Sequence, residues 1–364
     1  MKLCNCNYYE LEKRLADEKI ILFGVGDYFH YYIAEHIPLG LVKNIVYFID
    51  NNATDSYIQI YNRKIPIYKP TRLIEEKNCV VMLTSSNYMK EMYQQLESLK
   101  LDDSIKCYAY PMILANSVGS GVQLQKIFNS SSRQKIPKVI HCFWFSGDKK
   151  PEAYQKCIDS WKRICPDYKI NEWNMSNYDY TKNQFMKQAI EAKKWAFASD
   201  FARLDIIYQQ GGIYMDMDVE LIKLLDDFLG NKAFFTYDMN LDIDLGTFGS
   251  EPRNILIKNL MRLYDNVEFN GDLKSMNWFC QPRYIRTALK EFGVKLDGNM
   301  QIIDDMVFLP RNYLSPKDQV IYESGVISKN TYAIHHYNAG WKEDDYRSKR
   351  VKNNREIWKV IYRE

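Results

Sequence analysis

Along the first 115 residues, short apolar runs alternate with segments of helical period. Ile20–Phe23 is an apolar run that meets Gly24-Val25-Gly26-Asp27, and a helical pattern follows from Tyr28 to about His36. Asn44–Asp50 reads as a second buried strand ending in an acid. Cys79–Leu83 is a third, with Tyr88–Lys100 as its following helix. Unbroken apolar runs of this length, separated by helices, predict a parallel sheet covered on both faces. Residues 116–135, NSVGSGVQLQKIFNSSSRQK, break the pattern with Ser, Asn and Gly and read as a linker with a short helix around Val122–Phe128. A second α/β series starts with the strand Ile136–Phe145 and the loop Ser146-Gly147-Asp148. Helices are predicted at Glu152–Ile164 and Gln184–Gln209, the latter stopped by Gly211-Gly212, before a strand over Ile213–Val219. The expected organisation is an α/β domain over 1–115, the linker 116–135, a second α/β domain over 136–345, and a C-terminal segment 346–364.

Composition changes this picture little. The 364 residues are 46% hydrophobic and 26% charged, which excludes a disordered or collagen-like chain and a small disulfide scaffold. A net charge of +3, from 49 basic and 46 acidic side chains, argues against a protein that grips long nucleic acid by its electrostatics. That charge is uneven. Residues 346–364 carry Arg347, Lys349, Arg350, Lys352, Arg355, Lys359 and Arg363 against Glu356 and Glu364, a local +5 that leaves −2 for the rest. Apolar residues are interleaved, so the segment reads either as a solvated helix end or as a basic element resting on an anionic membrane leaflet. The N-terminus lacks an apolar signal core, no run is long enough to span a bilayer, and the eight cysteines form no C-x-x-C pair. A cytoplasmic protein with reduced thiols is expected.

Two motifs carry candidate chemistry. Gly24-x-Gly26, between a strand and a helix, is half of a dinucleotide fingerprint, and Asp50 stands where a ribose-binding acid would be. The third glycine is replaced by Phe29, so Rossmann-like topology is expected while nucleotide binding and plain packing both remain open. The stronger signal is Tyr214-Met215-Asp216-Met217-Asp218. On a continuing strand both carboxylates would share one face, and two such charges at the end of an apolar strand call for a cation. Oxygen ligands beside a phosphate suit Mg²⁺ or Mn²⁺. Upstream, Asp200 and Arg203 are three apart on one helix face among Trp195, Phe197, Phe201 and Leu204, a placement that points charge at a polar cavity.

Four blocks in order, IPKVIHCFWFSG, KCIDSWKRICPDYKINEWN, AFASDFARLDIIYQQGGIYMDMDVE and TYAIHHYNAGW, resemble glycosyltransferase family 32, the group with a D-x-D-containing sugar-binding region. The resemblance covers about residues 136–342. It implies a GT-A-type nucleotide-sugar-binding α/β fold after a smaller Rossmann-like domain, and retaining transfer of a hexose from a sugar nucleotide, with UDP-glucose or UDP-galactose the first expectation. The implied acceptor is a lipid-linked oligosaccharide in capsular or other surface polysaccharide synthesis. The implied residues are Trp144, with Phe143 beside it, at the nucleobase; Asp200 and Arg203 at the donor sugar and ribose; Tyr214 at the donor; and Asp216 and Asp218 at Mn²⁺ or Mg²⁺. Trp341 would close over the diphosphate, and Asp244 would meet sugar or acceptor hydroxyls. His336 falls by spacing at the position of a third metal ligand, against the plainer reading of His335 and His336 as a strand pair with one ring buried. Alternatives are a toxin-like protein glycosyltransferase, a non-catalytic nucleotide-sugar-binding protein, and a nicotinamide oxidoreductase built on the Gly24 loop.

Overall fold

A computed structural model describes residues 1–121, 133–269, 281–321, 326–338 and 344–361. The helix expected around Val122–Phe128 and the residue Trp341 lie outside these. The chain forms two compact units. One comprises Met1–Ser117 with Asp318–Gly325 and Lys342–Glu364, and the other comprises Val118–Lys317 with Val326–Trp341.

The first unit holds the strands β1 (Lys2–Cys4), β2 (Lys19–Phe23), β3 (Ile45–Ile49), β4 (Tyr57–Ile60), β5 (Arg63–Tyr68), β6 (Cys79–Leu83) and β7 (Lys106–Ala109). Among the described residues they form one sheet in the order β1-β7-β6-β2-β3-β5-β4, parallel except where β4 pairs antiparallel with β5. β6 is buried at all five positions, as a strand covered on both faces must be. The order reverses at β2, which is followed by Gly24 at φ 105°, so the Rossmann-like expectation holds in its topology. The helix expected from Tyr28 to His36 is shorter and contains a π-helical turn at Phe29–Ile33. Phe29 fills the space a third glycine would leave, packing its ring 5.1 Å from that of Phe48. Asp50 holds the loop itself: Oδ2 accepts Val25 N–H at 3.0 Å, and Oδ1 accepts the N–H groups of Asn52 and Ala53 at 2.7 and 2.8 Å.

The C-terminal segment is a helix over Asp344–Ile361 packed into this unit. Buried Asn354 donates to Ser86 O and Val320 O, each at 3.0 Å, and Ile357 is buried beside it. It is therefore a structural part of the first unit, where the sequence reading set it apart as a tail. No described helix is long and apolar enough to cross a membrane.

The second unit contains β8 (Val139–Phe143), β9 (Lys169–Trp173), β10 (Gly212–Met215), β11 (Val219–Leu221), β12 (Ala233–Tyr237), β13 (Ile243–Ser250), β14 (Gln301–Ile303), β15 (Met306–Leu309) and β16 (Ala333–His335). Among the described residues, seven form a mixed sheet in the order β14-β15-β12-β13-β10-β8-β9, while β11 pairs antiparallel with β16. Helix Trp195–Gln210 covers one face with Ala198, Phe201, Leu204 and Ile207; Trp161, from helix Glu152–Ile164, anchors the core on the other. Trp161 Nε1–H donates to Val219 O at 2.7 Å, tying that helix to the chain just past the D-x-D.

Two expected elements divide. The 184–209 helix is two, Gln184–Glu191 and Trp195–Gln210, parted at Lys193 with φ 56°. Gly211 ends the second at φ 65°, its N–H on Ile207 O. Gly212 follows at φ 100°, where a Cβ would sit 2.7 Å from Val139 O, so neither position tolerates a side chain. The strand predicted over 213–219 stops at Met215. The chain turns there, with Asp216 N–H on Gly246 O at 2.8 Å and Val219 N–H on Asp216 O at 3.0 Å, and resumes as β11.

Candidate active site

That turn sits where β10 ends, and it delivers both carboxylates to one place without the strand alternation expected of them. Oxygens of Asp216 and Asp218 and a ring nitrogen of His335 all lie within 4.8 Å of one another. His335 Nε2 is 3.3 Å from Asp218 Oδ1 and 3.8 Å from Asp216 Oδ2. Asp218 Oδ2 accepts Asn338 N–H at 2.7 Å. Asp216 is the most open of the three, with a quarter of its side chain exposed.

The imidazole at the cluster is therefore His335, and His336 is corrected. β16 brings His335 opposite Val219, whereas His336 Nε2 lies 3.0 Å from Glu220 Oε2, outside the group. Neighbouring residues of a strand face opposite ways, so a one-residue error in aligning β16 exchanges ligand and bystander.

Arg203 and Asp200 meet as their spacing predicts, with Nη2 3.2 Å from Asp200 Oδ1. Arg203 Nη1 also lies 3.5 Å from Asp216 Oδ2 and donates to Leu245 O at 3.0 Å. Its guanidinium lies over the Tyr214 ring, 4.7 Å from the centroid. Tyr214 is 2% exposed and gives its hydroxyl to Asp216 Oδ1. The tyrosine expected to touch the donor instead braces the acid beside it. Phe143 is likewise corrected: it is buried against Phe145, Tyr178 and Tyr214 in the core. Trp144 is half-buried, its Nε1–H on Asp148 O at 2.7 Å and its ring 5.8 Å from Lys150 Nζ. Asp244 belongs to the His335 cluster; its Oδ2 is 2.9 Å from His335 Nδ1.

Burial is the largest influence on the charges of this group. It raises the Asp216 carboxyl and takes Asp200 up to about 7, against the pull of Arg203 on both. At Asp218, burial is outweighed by the charge and hydrogen bond of His335 and by Asn338 N–H. At Asp244 it is outweighed by the charge and hydrogen bond of His335 together with Ser315 and Gly246 N–H, and both carboxyls lie below the usual range. Burial opposes charge on His335 too, but Asp244 and Asp218 hold its imidazolium well above the ordinary range. The site thus sets Asp200, Asp216, Asp218 and Asp244 against two buried cationic groups, Arg203 and the His335 imidazolium, whose Nε2 proton a metal ion would displace. Two carboxylates and one imidazole nitrogen form a donor set that fits Mn²⁺, and less closely Mg²⁺, which prefers oxygen throughout.

Sequence reasoning missed Ser315 and Tyr337, whose hydroxyls meet Asp244 Oδ2 at 2.6 and 3.0 Å, and Gly246, which leaves room for the His335 ring. The pairing of β11 with β16, across more than 100 residues, sets His335 beside the D-x-D turn, and local pattern does not carry such a register.

Residues 151–235 match the family described as glycosyltransferase sugar-binding region containing DXD motif, a stretch that includes Asp200, Arg203, Asp216 and Asp218. The chain carries this glycosyltransferase region. It is 36% identical over 107 residues to "Uncharacterized glycosyltransferase L373" of Acanthamoeba polyphaga mimivirus, covering 28% of this chain and 43% of that protein. It is 31% identical over 193 residues to "Mannosyl phosphorylinositol ceramide synthase SUR1" of Saccharomyces cerevisiae, covering 50% and 49%. With "Inositol phosphoceramide mannosyltransferase 1" of Schizosaccharomyces pombe it shares 30% identity over 112 residues, 28% of this chain and 34% of that one. The chain spans about a third to a half of the length of these curated relatives. Among solved structures, the PaToxG glycosyltransferase superposes loosely, at a TM-score of 0.33 and 19% identity over 52% of this chain and 90% of that one.

Proposed function

We propose that this chain is a metal-dependent, retaining glycosyltransferase that moves a hexose from a nucleoside diphosphate sugar to a lipid-borne acceptor. The observation that carries the reading is the convergence of Asp216, Asp218 and His335 at the end of β10, with Arg203 and Asp200 against it. Asp216, Asp218 and His335 would hold Mn²⁺, which when bound supplies positive charge to the diphosphate leaving group. Arg203, fixed by Leu245 O and Ser199, keeps a second positive charge beside Asp216 and needs little reorganisation to meet an anion. Asp200, with a pKa near neutrality, is suited to donate or accept a hydrogen bond at a sugar hydroxyl. Trp144, half-buried, offers an aromatic face for a base, while Lys150 beside its ring is paired with Glu172 at 2.8 Å.

The names of the fungal relatives support a lipid acceptor and add mannose to the hexoses worth testing. A role in capsular or surface polysaccharide synthesis and action at the inner face of the membrane belong to the same proposal. Exposed Lys349, Lys352 and Lys359 on the C-terminal helix supply charge for an anionic leaflet. The test is donor hydrolysis by the full chain with UDP-glucose, UDP-galactose and GDP-mannose, with Mn²⁺ and after chelation. We expect turnover of at least one donor that chelation abolishes and that Asp218→Ala lowers by more than 100-fold. No metal-dependent turnover on any donor, or an unchanged Asp218→Ala enzyme, would overturn it.

A further inference from the structure

Asp244 stands directly behind the candidate ligands. A neutral imidazole that offers its Nε2 lone pair toward Asp216 and Asp218 must carry its proton on Nδ1, and His335 Nδ1 lies 2.9 Å from Asp244 Oδ2. The carboxylate is itself fixed on both oxygens. Oδ1 accepts Gly246 N–H at 2.8 Å, and Oδ2 accepts the hydroxyls of Ser315 at 2.6 Å and Tyr337 at 3.0 Å. Asp244 and Ser315 are both buried, and the His335 ring stacks on Tyr337 with centroids 4.0 Å apart. A sugar hydroxyl, the partner expected of Asp244 from sequence, would have to displace one of these bonds.

We propose that Asp244 is a positioning residue: it selects the Nδ1–H tautomer of His335, sets the plane of the ring, and so aims Nε2 at the cation. This rests on the metal-dependent reading above. A carboxylate behind an imidazole also makes the ligating nitrogen more basic, and loss of such a partner typically weakens metal binding by about 10- to 100-fold. An acid buried only for packing would change the stability of the metal-free chain and leave the affinity of the folded protein alone.

The experiment is calorimetric titration of the full chain with Mn²⁺ alone, comparing wild type, Asp244→Asn, His335→Gln and the double variant, each checked for folding by circular dichroism. Asp244→Asn is expected to bind Mn²⁺ about 10- to 100-fold more weakly than wild type. In the His335→Gln background the same substitution is expected to add less than about threefold, because Asp244 acts through that ring. Wild-type affinity in Asp244→Asn, or an undiminished loss in the His335→Gln background, overturns the positioning role while leaving the metal site standing. A wild-type chain that binds no Mn²⁺ overturns both. If Asp244→Asn does not fold, long-range ¹H–¹⁵N spectra of the wild-type imidazoles with Zn²⁺ decide the matter. His335 should keep its proton on Nδ1 while Nε2 shifts; a proton on Nε2, or no shift, overturns the proposal.

Discussion

At the scale of single residues, the site depends on what is absent from Gly246 as much as on what its neighbours carry. A Cβ there would lie 2.4 Å from His335 Cε1, 2.6 Å from Nδ1 and 2.9 Å from Asp244 Oδ1. Gly246→Ala is therefore expected to weaken Mn²⁺ binding at least tenfold although it alters no ligand, and to cost about 1–3 kcal/mol of stability through overpacking. Gly249→Ala is the matched control. Its Cβ would meet the Phe234 ring at 2.3 Å, so it should destabilise to a similar degree and leave Mn²⁺ affinity of the folded chain unchanged. Calorimetry and thermal melting on the pair separate the two effects. Residue types were legible from sequence where the chemistry is local: Asp200 with Arg203, three apart on one helix, and the D-x-D. His335 was not, because its neighbour His336 has identical chemistry and only the pairing with Val219 tells the two apart.

At the scale of elements, a buried histidine joins three of them. His141 on β8 has Nε2 3.1 Å from Gly211 O, at the end of helix Trp195–Gln210, while its Nδ1 accepts Trp173 Nε1–H from β9 at 3.0 Å. Burial lowers its pKa from 6.5 to about 4, beyond what the Gly211 carbonyl restores. The folded state holds it neutral, so between pH 6.5 and 4 the unfolded chain binds more protons and stability falls as pH falls, by up to about 3 kcal/mol from this group. His141→Gln, whose amide can accept from Trp173 and donate to Gly211, should flatten the pH dependence by that amount. Urea unfolding of both proteins at pH 7, 5.5 and 4.5 measures it, and parallel curves would refute the assignment. The strands β2, β3 and β6 were readable because buried parallel strands are continuous apolar runs. The breaks at Lys193 and Asp216 were not, since each is a local left-handed or turn conformation inside an apolar pattern that continues on both sides.

At the scale of the molecule, the charge asymmetry takes a new meaning once helix Asp344–Ile361 is seen to be built into the first unit. Removing residues 346–364 would take out buried Asn354 and Ile357 together with the basic side chains, so truncation should lower the melting temperature of that unit and confuse any membrane measurement. The cleaner test replaces exposed Lys349, Lys352 and Lys359 by Gln. At about 1 kcal/mol per lysine near an anionic surface, sedimentation with phosphatidylserine vesicles should weaken by roughly 100-fold with folding intact. Equal sedimentation of the two proteins would remove the leaflet from the proposal.

The composition of the first unit also sets a timetable. Its strands occupy the first 117 residues, but the segments that complete it, Asp318–Gly325 and the C-terminal helix, follow Val118–Lys317. A ribosome adding about 5–20 residues per second spends roughly 10–40 s on that interval. Throughout that time the nascent sheet lacks its last helix, and the polar backbone at Ser86 O that Asn354 will satisfy is still exposed. The principal sheet of the second unit, built from strands within residues 139–309, is also complete in the chain before the C-terminal helix of the first unit is made. Synthesis therefore finishes the candidate catalytic sheet before it finishes the fold that began first.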